Sequence, residues 1–119
     1  MTTVDTRSAI IDTVRDYFEG WYDGDARRME RALHPALAKR APVGEALDET
    51  TAEWMIDATS KGVGKRDDPD ERRLEIVVDD VYDRIATVTV RGPIYIEYVH
   101  LVLMQDGWRI VNTLYEPAR

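Results

Sequence analysis

The sequence predicts an α+β domain in which three helices pack on one face of a curved antiparallel sheet. Apolar residues recur at helical spacing in the first half of the chain. The second half holds four runs rich in Val, Ile and Thr, separated by turn residues. Helices followed by a series of strands are typical of the α+β class. The chain has 119 residues and no internal repeat, so we expect one domain over residues 1–119.

Composition narrows the possible functions. The net charge of −7 argues against a nucleic-acid partner, because phosphate binding requires a basic surface. There is no cysteine, and two histidines without spaced acidic partners do not make a metal site. No apolar run could span a bilayer, and the N-terminus has no signal-peptide pattern. We expect a cytoplasmic protein without cofactor or metal that contacts neither nucleic acid nor membrane.

Two helices are expected before residue 36. Asp5 or Thr6 is expected to cap the first, which runs to about Gly20. Asp25 is expected to cap the second, and Pro35 stops it. The first helix should bury a stripe at helical spacing, and the second should bury two apolar residues: Ile10, Val14, Tyr17, Phe18 and Trp21, then Met29 and Leu33.

The third helix follows a mixed segment. Residues 36–48 are expected to hold a short strand or two. The pattern Thr50-x-x-Glu53 is typical of a capping box, which places the helix start near Thr51. Trp54 is expected on its buried side, together with Met55 and Ala58. Residues 65–73 form a charged, solvated loop to which we assign no function.

Four strands complete the chain. Leu74–Val81 and Ile85–Arg91 are the first two, and residues 96–115 form a long hairpin around Asp106-Gly107. We expect a three-residue loop, which pairs Met104 with Trp108 and His100 with Asn112. One hairpin face then carries Tyr98, His100, Val102, Met104, Trp108, Ile110, Asn112 and Leu114. The opposite face, which includes Glu97, Val99, Leu101, Leu103, Val111 and Thr113, is too apolar for open solvent and should meet a partner.

An ordered set of motifs resembles the nuclear transport factor 2-like superfamily. The nearest branch is the one named putative lumazine-binding, beside the polyketide-cyclase (SnoaL-like) proteins. The motifs lie at the end of the first helix, after the second helix and along the final hairpin: Tyr17-Phe18-x-Gly20-Trp21-x-x-Gly24-Asp25, His34-Pro35, Tyr98-x-His100-Leu101-Val102 and Asp106-Gly107-Trp108-Arg109-Ile110-Val111-Asn112-x-Leu114-Tyr115.

The resemblance implies a cone-shaped sheet wrapped around the N-terminal helices, with an apolar pocket between them. It also implies a homodimer formed through the outer face of the sheet. Members of the superfamily include isomerases, dehydratases, cyclases and epoxide hydrolases that act on hydrophobic small molecules. Several use an inward-facing carboxylate as the base, and we expect none on the chosen hairpin face, because Glu97 falls on the other side.

His100 and Asn112 are the candidate catalytic residues. A neutral imidazole inside the cone could act as a base, and the amide could donate to a carbonyl or enolate oxygen. The alternative is a core histidine whose ring is hydrogen-bonded to Asn112. His34 is expected either to cap a helix or to lie at the pocket mouth. The remaining candidates for ligand contacts are Tyr17, Trp21, Trp54 and Tyr98.

The sequence is consistent with three functions. The favoured one is a protein that binds an apolar or aromatic small molecule in the pocket without catalysis. The second is a lyase or isomerase of the dehydratase or cyclase type, with His100 as general base. The third is a dimeric structural or interaction module.

Overall fold

The computed structural model describes residues 4–119 of the chain. It contains the three expected helices: α1 (Val4–Asp23), α2 (Ala26–Ala32) and α3 (Ala52–Ser60). The predicted cap at Asp25 is confirmed, because its carboxylate accepts hydrogen bonds from the backbone N–H groups of Arg27 and Arg28, each at 3.2 Å.

The ends of the other two helices differ from the prediction. Asp5 and Thr6 lie inside α1, so neither is its cap. Thr51, and not Thr50, caps α3, and its hydroxyl accepts a hydrogen bond from the backbone N–H of Trp54 at 3.1 Å. Either threonine can serve as an N-cap, but only Thr50 has Glu three residues later, and this capping-box spacing led to the one-residue error.

Six strands form one sheet. They are β1 (Leu33–Val43), β2 (Ala46–Thr50), β3 (Glu75–Tyr82), β4 (Ile85–Arg91), β5 (Tyr95–Met104) and β6 (Gly107–Pro117). Their order is β2-β1-β6-β5-β4-β3. Neighbours are antiparallel except β1 and β6, which are parallel, so the described sheet is mixed. The four predicted strands are confirmed as β3 to β6. Residues 36–48, where a short strand or two were expected, hold most of β1 and part of β2.

The final hairpin has a shorter loop than predicted and a bulge that was not predicted. Met104 pairs with Gly107, so the loop is the two residues Gln105 and Asp106. The register then shifts between His100 and Leu101, where β6 carries one extra residue, Val111. The predicted pairing of His100 with Asn112 is therefore confirmed, although the predicted pairing of Met104 with Trp108 is wrong.

The bulge decides which side chains of the hairpin face the helices. Trp108 and Ile110 point inward and are buried, whereas Asn112 and His100 point outward. The predicted face is therefore a mixture of the two real faces, because the shorter loop shifts the pairing of β5 by one residue and strict alternation cannot be carried through the bulge in β6. The inward residues of this hairpin include five that were assigned to the outer, dimer-forming face: Glu97, Val99, Leu101, Leu103 and Thr113.

The core lies between the inner sheet face and the helices. The stripe predicted for α1 is largely buried, and it packs against apolar residues of β4, β5 and β6: Val88, Val90, Val99, Leu101, Trp108 and Ile110. Among residues 4–119, no helix combines the length and apolar character that crossing a membrane requires.

Candidate functional site

A cavity of about 350 Å³ opens between the inner sheet face, α1 and α3. Six of the 13 lining residues are aromatic: Tyr17, Phe18, Trp21, Trp54, Tyr95 and Tyr115. The exposed end of β2 and the start of α3 form the mouth, with Asp48, Glu49, Thr50 and Thr51, and the buried Met55 also lines the cavity. The two remaining lining residues, Lys39 and Glu97, are charged.

Lys39, Tyr17 and Glu97 form a connected polar cluster in this cavity. The ammonium group of Lys39 donates a hydrogen bond to the hydroxyl oxygen of Tyr17. That hydroxyl in turn donates to Oε2 of Glu97 at 2.7 Å. The Lys39 Nζ atom also lies 3.4 Å from Oε2 of Glu97, so the two charges form an ion pair. All three side chains are buried, and such a pair is retained only when its charges and hydrogen bonds are satisfied.

Strand alternation explains why two charged residues point inward. In β1 the inward, buried positions are Leu37, Lys39 and Ala41. In β5 they are Glu97, Val99 and Leu101. Each charged residue thus occupies a position on an otherwise apolar face. Tyr17, from the buried stripe of α1, lies between them and connects the helix to both strands.

Burial changes the protonation chemistry of this cluster. Burial, followed by the negative charge of Glu97, raises the pKa of Tyr17 well above its usual value. Burial also lowers the pKa of Lys39, although the neighbouring Glu97 carboxylate opposes this change. At neutral pH Tyr17 is therefore a protonated donor. The Lys39 amine can lose its proton more readily than the amine of a lysine in water.

Aromatic rings surround the Lys39 ammonium group. The Nζ atom lies 4.1 Å from the ring centroid of Tyr115 and 4.9 Å from that of Tyr17. Tyr115 also packs edge-on against Tyr95, with the ring centroids 6.0 Å apart. These contacts fix the position of the ammonium group through cation–π attraction and leave little room for bulk water around it.

Two tryptophans form the part of the wall nearest to the solvent. The indole of Trp21 packs directly against Gly64, where even a single added carbon atom would overlap the ring. Trp54 has 54% of its surface exposed at the cavity mouth. The prediction that Trp54 is buried is therefore wrong, but an exposed indole beside a cavity can stack on a ligand.

The structure separates the predicted site residues into two groups. Tyr17, Trp21 and Trp54 line the cavity, as predicted for ligand contacts. His100, Asn112 and Tyr98 do not: all three lie on the outer sheet face. The expectation that they line the cone is wrong for two reasons. The shorter loop places Leu103, and not Met104, opposite Trp108, which turns Tyr98 and His100 outward, and the bulge at Val111 turns Asn112 outward beside them. The amide Nδ2 of Asn112 lies 3.2 Å from Nδ1 of His100, so the predicted pair exists on the opposite side of the sheet.

His34 is neither a lining residue of this cavity nor a side-chain cap of α2. Its Nδ1 accepts a hydrogen bond from the backbone N–H of Ala36 at 2.9 Å, at the start of β1. The end of α2 is closed by a backbone bond from the N–H of Leu33 to the carbonyl of Glu30. The ring is thus used in a local turn.

Lys39 and Glu97 are the functional candidates that sequence reasoning missed. The signal was present in the pattern of each strand. Glu97 begins the series Glu97-x-Val99-x-Leu101, and Lys39 sits within Leu37-x-Lys39-x-Ala41. A charged residue in phase with buried apolar residues indicates an inward charge, and two such charges of opposite sign indicate a pair. The expectation that the inward face of the last hairpin carries no carboxylate is therefore wrong, because Glu97 lies on that face.

The site combines ring surfaces with groups that donate and accept hydrogen bonds. Rings on the wall supply stacking surfaces, while Lys39 and Tyr17 supply donors and Glu97 supplies an acceptor. Within residues 4–119, no group of three or more His, Asp or Glu side chains is placed to hold a metal ion.

Solved structures with the same fold cover nearly the whole chain. An NTF2-like protein of unknown function from Silicibacter pomeroyi matches 99% of this chain and 100% of its own, at 18% identity and a TM-score of 0.80. Another, from Shewanella baltica, matches 100% of this chain and 98% of its own, at 16% identity and a TM-score of 0.75. A third, from Methylobacillus flagellatus, matches 99% and 96%, at 17% identity and a TM-score of 0.70. At these identities the likeness shows the fold.

No curated protein matches the sequence significantly. The family model described as putative lumazine-binding matches residues 5–116, which covers all nine helices and strands of the described chain except for the terminal residues of the first and last. The resemblance predicted from the motifs is therefore confirmed, and the chain belongs to this family within the NTF2-like superfamily.

Proposed function

We propose that the protein binds a small planar aromatic molecule in the cavity lined by Tyr17, Lys39 and Glu97. The observation that carries this proposal is the combination of an aromatic wall with one buried, connected polar cluster. Ligand sites are typically apolar clefts with a few fixed polar groups, and this cavity has both properties.

The cavity volume limits the size of the ligand. At about 350 Å³ it lies near the lower end of the range for small-molecule sites, which favours one or two fused rings. Two fused rings offer more surface to the aromatic side chains of the wall than a single ring does.

The charges of the lining residues favour a neutral or cationic ligand. Three lining carboxylates, Asp48, Glu49 and Glu97, outnumber the one lining ammonium, Lys39. Glu97 is paired with Lys39 and Glu49 with Arg40, so the exposed Asp48 leaves an excess of one negative charge, and an anionic ligand would meet net repulsion at the mouth. A ring edge that carries a carbonyl next to an N–H would suit the cluster, since Lys39 donates and Glu97 accepts. Lumazine, for which the family is named, has such an edge on two fused rings and is the first ligand to test.

Isothermal titration calorimetry tests the proposal. Titration of lumazine, of a neutral two-ring aromatic and of its carboxylate analogue should give binding of the uncharged compounds and much weaker binding of the anion. Replacement of the exposed Trp54 by Ala should weaken binding about tenfold, through the loss of ring stacking. His100→Ala and Asn112→Ala are the matched controls and should leave the affinity unchanged. No heat with any of these compounds at millimolar concentration would contradict the proposal.

Catalysis with His100 as general base, the second predicted function, has no support from the geometry of the cavity, because the imidazole lies on the outer face. Proton transfer in this protein would have to use Tyr17, Lys39 or Glu97 instead.

We also propose a homodimer, as predicted, but through a different set of residues. On the outer face Tyr98 pairs with Leu114 across β5 and β6, and these side chains are 49% and 46% exposed. Adjacent exposed aromatic and aliphatic side chains are typical of interface centres. Light scattering at micromolar concentration should give the mass of two chains, and Tyr98→Glu should give that of one. A monomeric wild-type protein would contradict this proposal.

A further inference from the structure

One lysine of this chain has surroundings unlike those of the other two. The three lysines are Lys39, Lys61 and Lys65. The side chain of Lys61 is 68% exposed and forms a surface ion pair with Asp57, and Lys65 is also exposed. The side chain of Lys39, in contrast, is 8% exposed and lines the cavity. Among the three lysines, it is the one that a molecule in the cavity would contact.

The groups around Lys39 match what an amine needs to react with a carbonyl compound. The amine must lose a proton, and Oε2 of Glu97 lies 3.4 Å from Nζ to receive it. A neutral hydroxyl must be available to move a proton to the former carbonyl oxygen. The hydroxyl of Tyr17 is hydrogen-bonded to both Lys39 and Glu97. The aromatic surroundings exclude water, and desolvation lowers the pKa of the amine, which increases its reactive fraction.

We propose that Lys39 forms a reversible imine with an aromatic aldehyde bound in the cavity. This inference rests on the proposed function, because the aromatic wall must first hold the ring of the aldehyde with its carbonyl group facing the polar cluster. It adds a covalent step to that binding, and it names the ligand class as planar aromatic aldehydes without a negative charge.

The step balances without any further reactant. The ammonium of Lys39 gives one proton to Glu97, and the lone pair on Nζ attacks the carbonyl carbon to form the C–N bond. Tyr17 relays a proton from the new N–H to the oxygen, which gives a carbinolamine. Protonated Glu97 then returns its proton to that hydroxyl, water leaves, and the nitrogen lone pair forms the C=N bond. The product is a cationic imine beside the restored carboxylate, so the ion pair is kept.

Reductive trapping tests the proposal on the full chain. The protein is incubated at neutral pH with naphthaldehyde and sodium cyanoborohydride, which reduces imines to stable secondary amines. Intact mass should show one added naphthylmethyl group, and peptide mapping should place it on Lys39. The label should appear at least tenfold faster on Lys39 than on Lys61 or Lys65. In about 8 M urea, which denatures the protein, this preference should disappear.

Two controls separate the covalent step from simple binding. Naphthylmethanol has the same rings without the aldehyde and should bind reversibly by calorimetry without any label. Lys39→Arg retains the positive charge and should abolish the single label, whereas Lys61→Arg should not. If Lys39→Arg does not fold, peptide mapping of the wild-type protein still shows whether Lys39 carries the label.

The possible failures are distinguishable. If naphthylmethanol binds but Lys39 is labelled no faster than Lys61, the imine proposal is overturned and the binding proposal stands. If neither compound binds and Lys39 is not labelled, both proposals are overturned.

Discussion

The hydroxyl oxygen of Tyr17 lies 2.7 Å from Oε2 of Glu97, and this hydrogen bond connects two residues 80 positions apart in the sequence. It ties the buried side of α1 to the inner face of β5. Because Lys39 of β1 contacts both partners, the same cluster connects a helix with two strands that are not neighbours in the sheet. The polar cluster is therefore both a part of the core and the inner wall of the cavity.

Removal of one charge from this cluster should be more harmful than removal of both. Lys39→Met leaves a buried carboxylate without its cation, and Glu97→Gln leaves a buried ammonium without its anion. Each change should lower the free energy of unfolding by roughly 3–5 kcal/mol, the range for broken buried ion pairs. The double variant Lys39→Met/Glu97→Gln contains no buried charge and should recover more than half of that loss, as measured by urea denaturation.

The surface pair of Lys61 and Asp57 is the matched control for that cycle. Its atoms lie 2.9 Å apart, closer than the buried pair, but both side chains are mostly exposed. Lys61→Met should change the free energy of unfolding by less than about 1 kcal/mol. Additive losses in the buried double variant would show that Lys39 and Glu97 do not stabilise each other.

The raised pKa of Tyr17 should make stability depend on alkaline pH. Below pH 10, the usual pKa of the phenol, Tyr17 is protonated in the folded and unfolded states and its contribution is constant. Above pH 10 the unfolded chain releases a proton that the folded chain keeps, so this group lowers stability by roughly 1.4 kcal/mol per pH unit. Burial raises the pKa of Tyr22 to about 12, so Tyr22 adds a loss of the same sign between pH 10 and 12.

The lowered pKa of Lys39 acts with the opposite sign. Between its folded pKa and 10.5, the unfolded chain binds more protons, and stability rises with pH. Comparison of variants isolates the tyrosine contribution. Chemical denaturation is measured from about pH 9 to 11, a range that brackets the ordinary phenol pKa of about 10. The free energy of unfolding should fall less steeply with pH for Tyr17→Phe than for the wild type. Tyr82→Phe changes a side chain that is 76% exposed and should not alter the slope. Equal slopes for all three proteins would refute the assigned role of Tyr17.

Gly64 should control the shape of the cavity through Trp21. A Cβ atom at position 64 would overlap the indole ring, and Gly64 does not have a positive φ that would make Ala costly by itself. Gly64→Ala should therefore displace Trp21, lower the free energy of unfolding by about 1–3 kcal/mol and weaken ligand binding. Denaturation and calorimetry measure the two effects. The double variant Gly64→Ala/Trp21→Leu should recover much of the lost stability. An unchanged ligand affinity in Gly64→Ala would show that Trp21 does not shape the site.

Local patterns were sufficient for most of the fold and insufficient for the orientation of the last hairpin. The helices, the β3–β4 hairpin and the Asp25 cap follow from residue types within a few positions of each other. The bulge at Val111 does not, because β6 also pairs there with β1, which is distant in the sequence. The shorter loop reversed the assignment of His100 and the bulge reversed that of Asn112, so the candidate pair lies outside the cone and not inside it.

Some of the cavity residues could be predicted from local spacing, and others depend on pairing between distant strands. Tyr17 and Trp21 lie on an uninterrupted helical stripe, whose inward side is evident from spacing alone. Lys39 and Glu97 come from strands that meet only through the mixed order of the sheet, and neither strand shows by itself that its charge has a partner. A charged residue on an apolar strand face is therefore best considered together with every other such residue in the chain.

Chemical-shift mapping by two-dimensional ¹H–¹⁵N NMR tests the location of the site most directly. Addition of lumazine, or of another uncharged two-ring aromatic that binds, should shift the backbone amides of Tyr17, Trp21, Lys39 and Glu97 and the indole N–H groups of Trp21 and Trp54. The amides of His100 and Asn112 on the outer face should stay in place. Shifts concentrated around His100 and Asn112, with the cavity residues unaffected, would contradict the account.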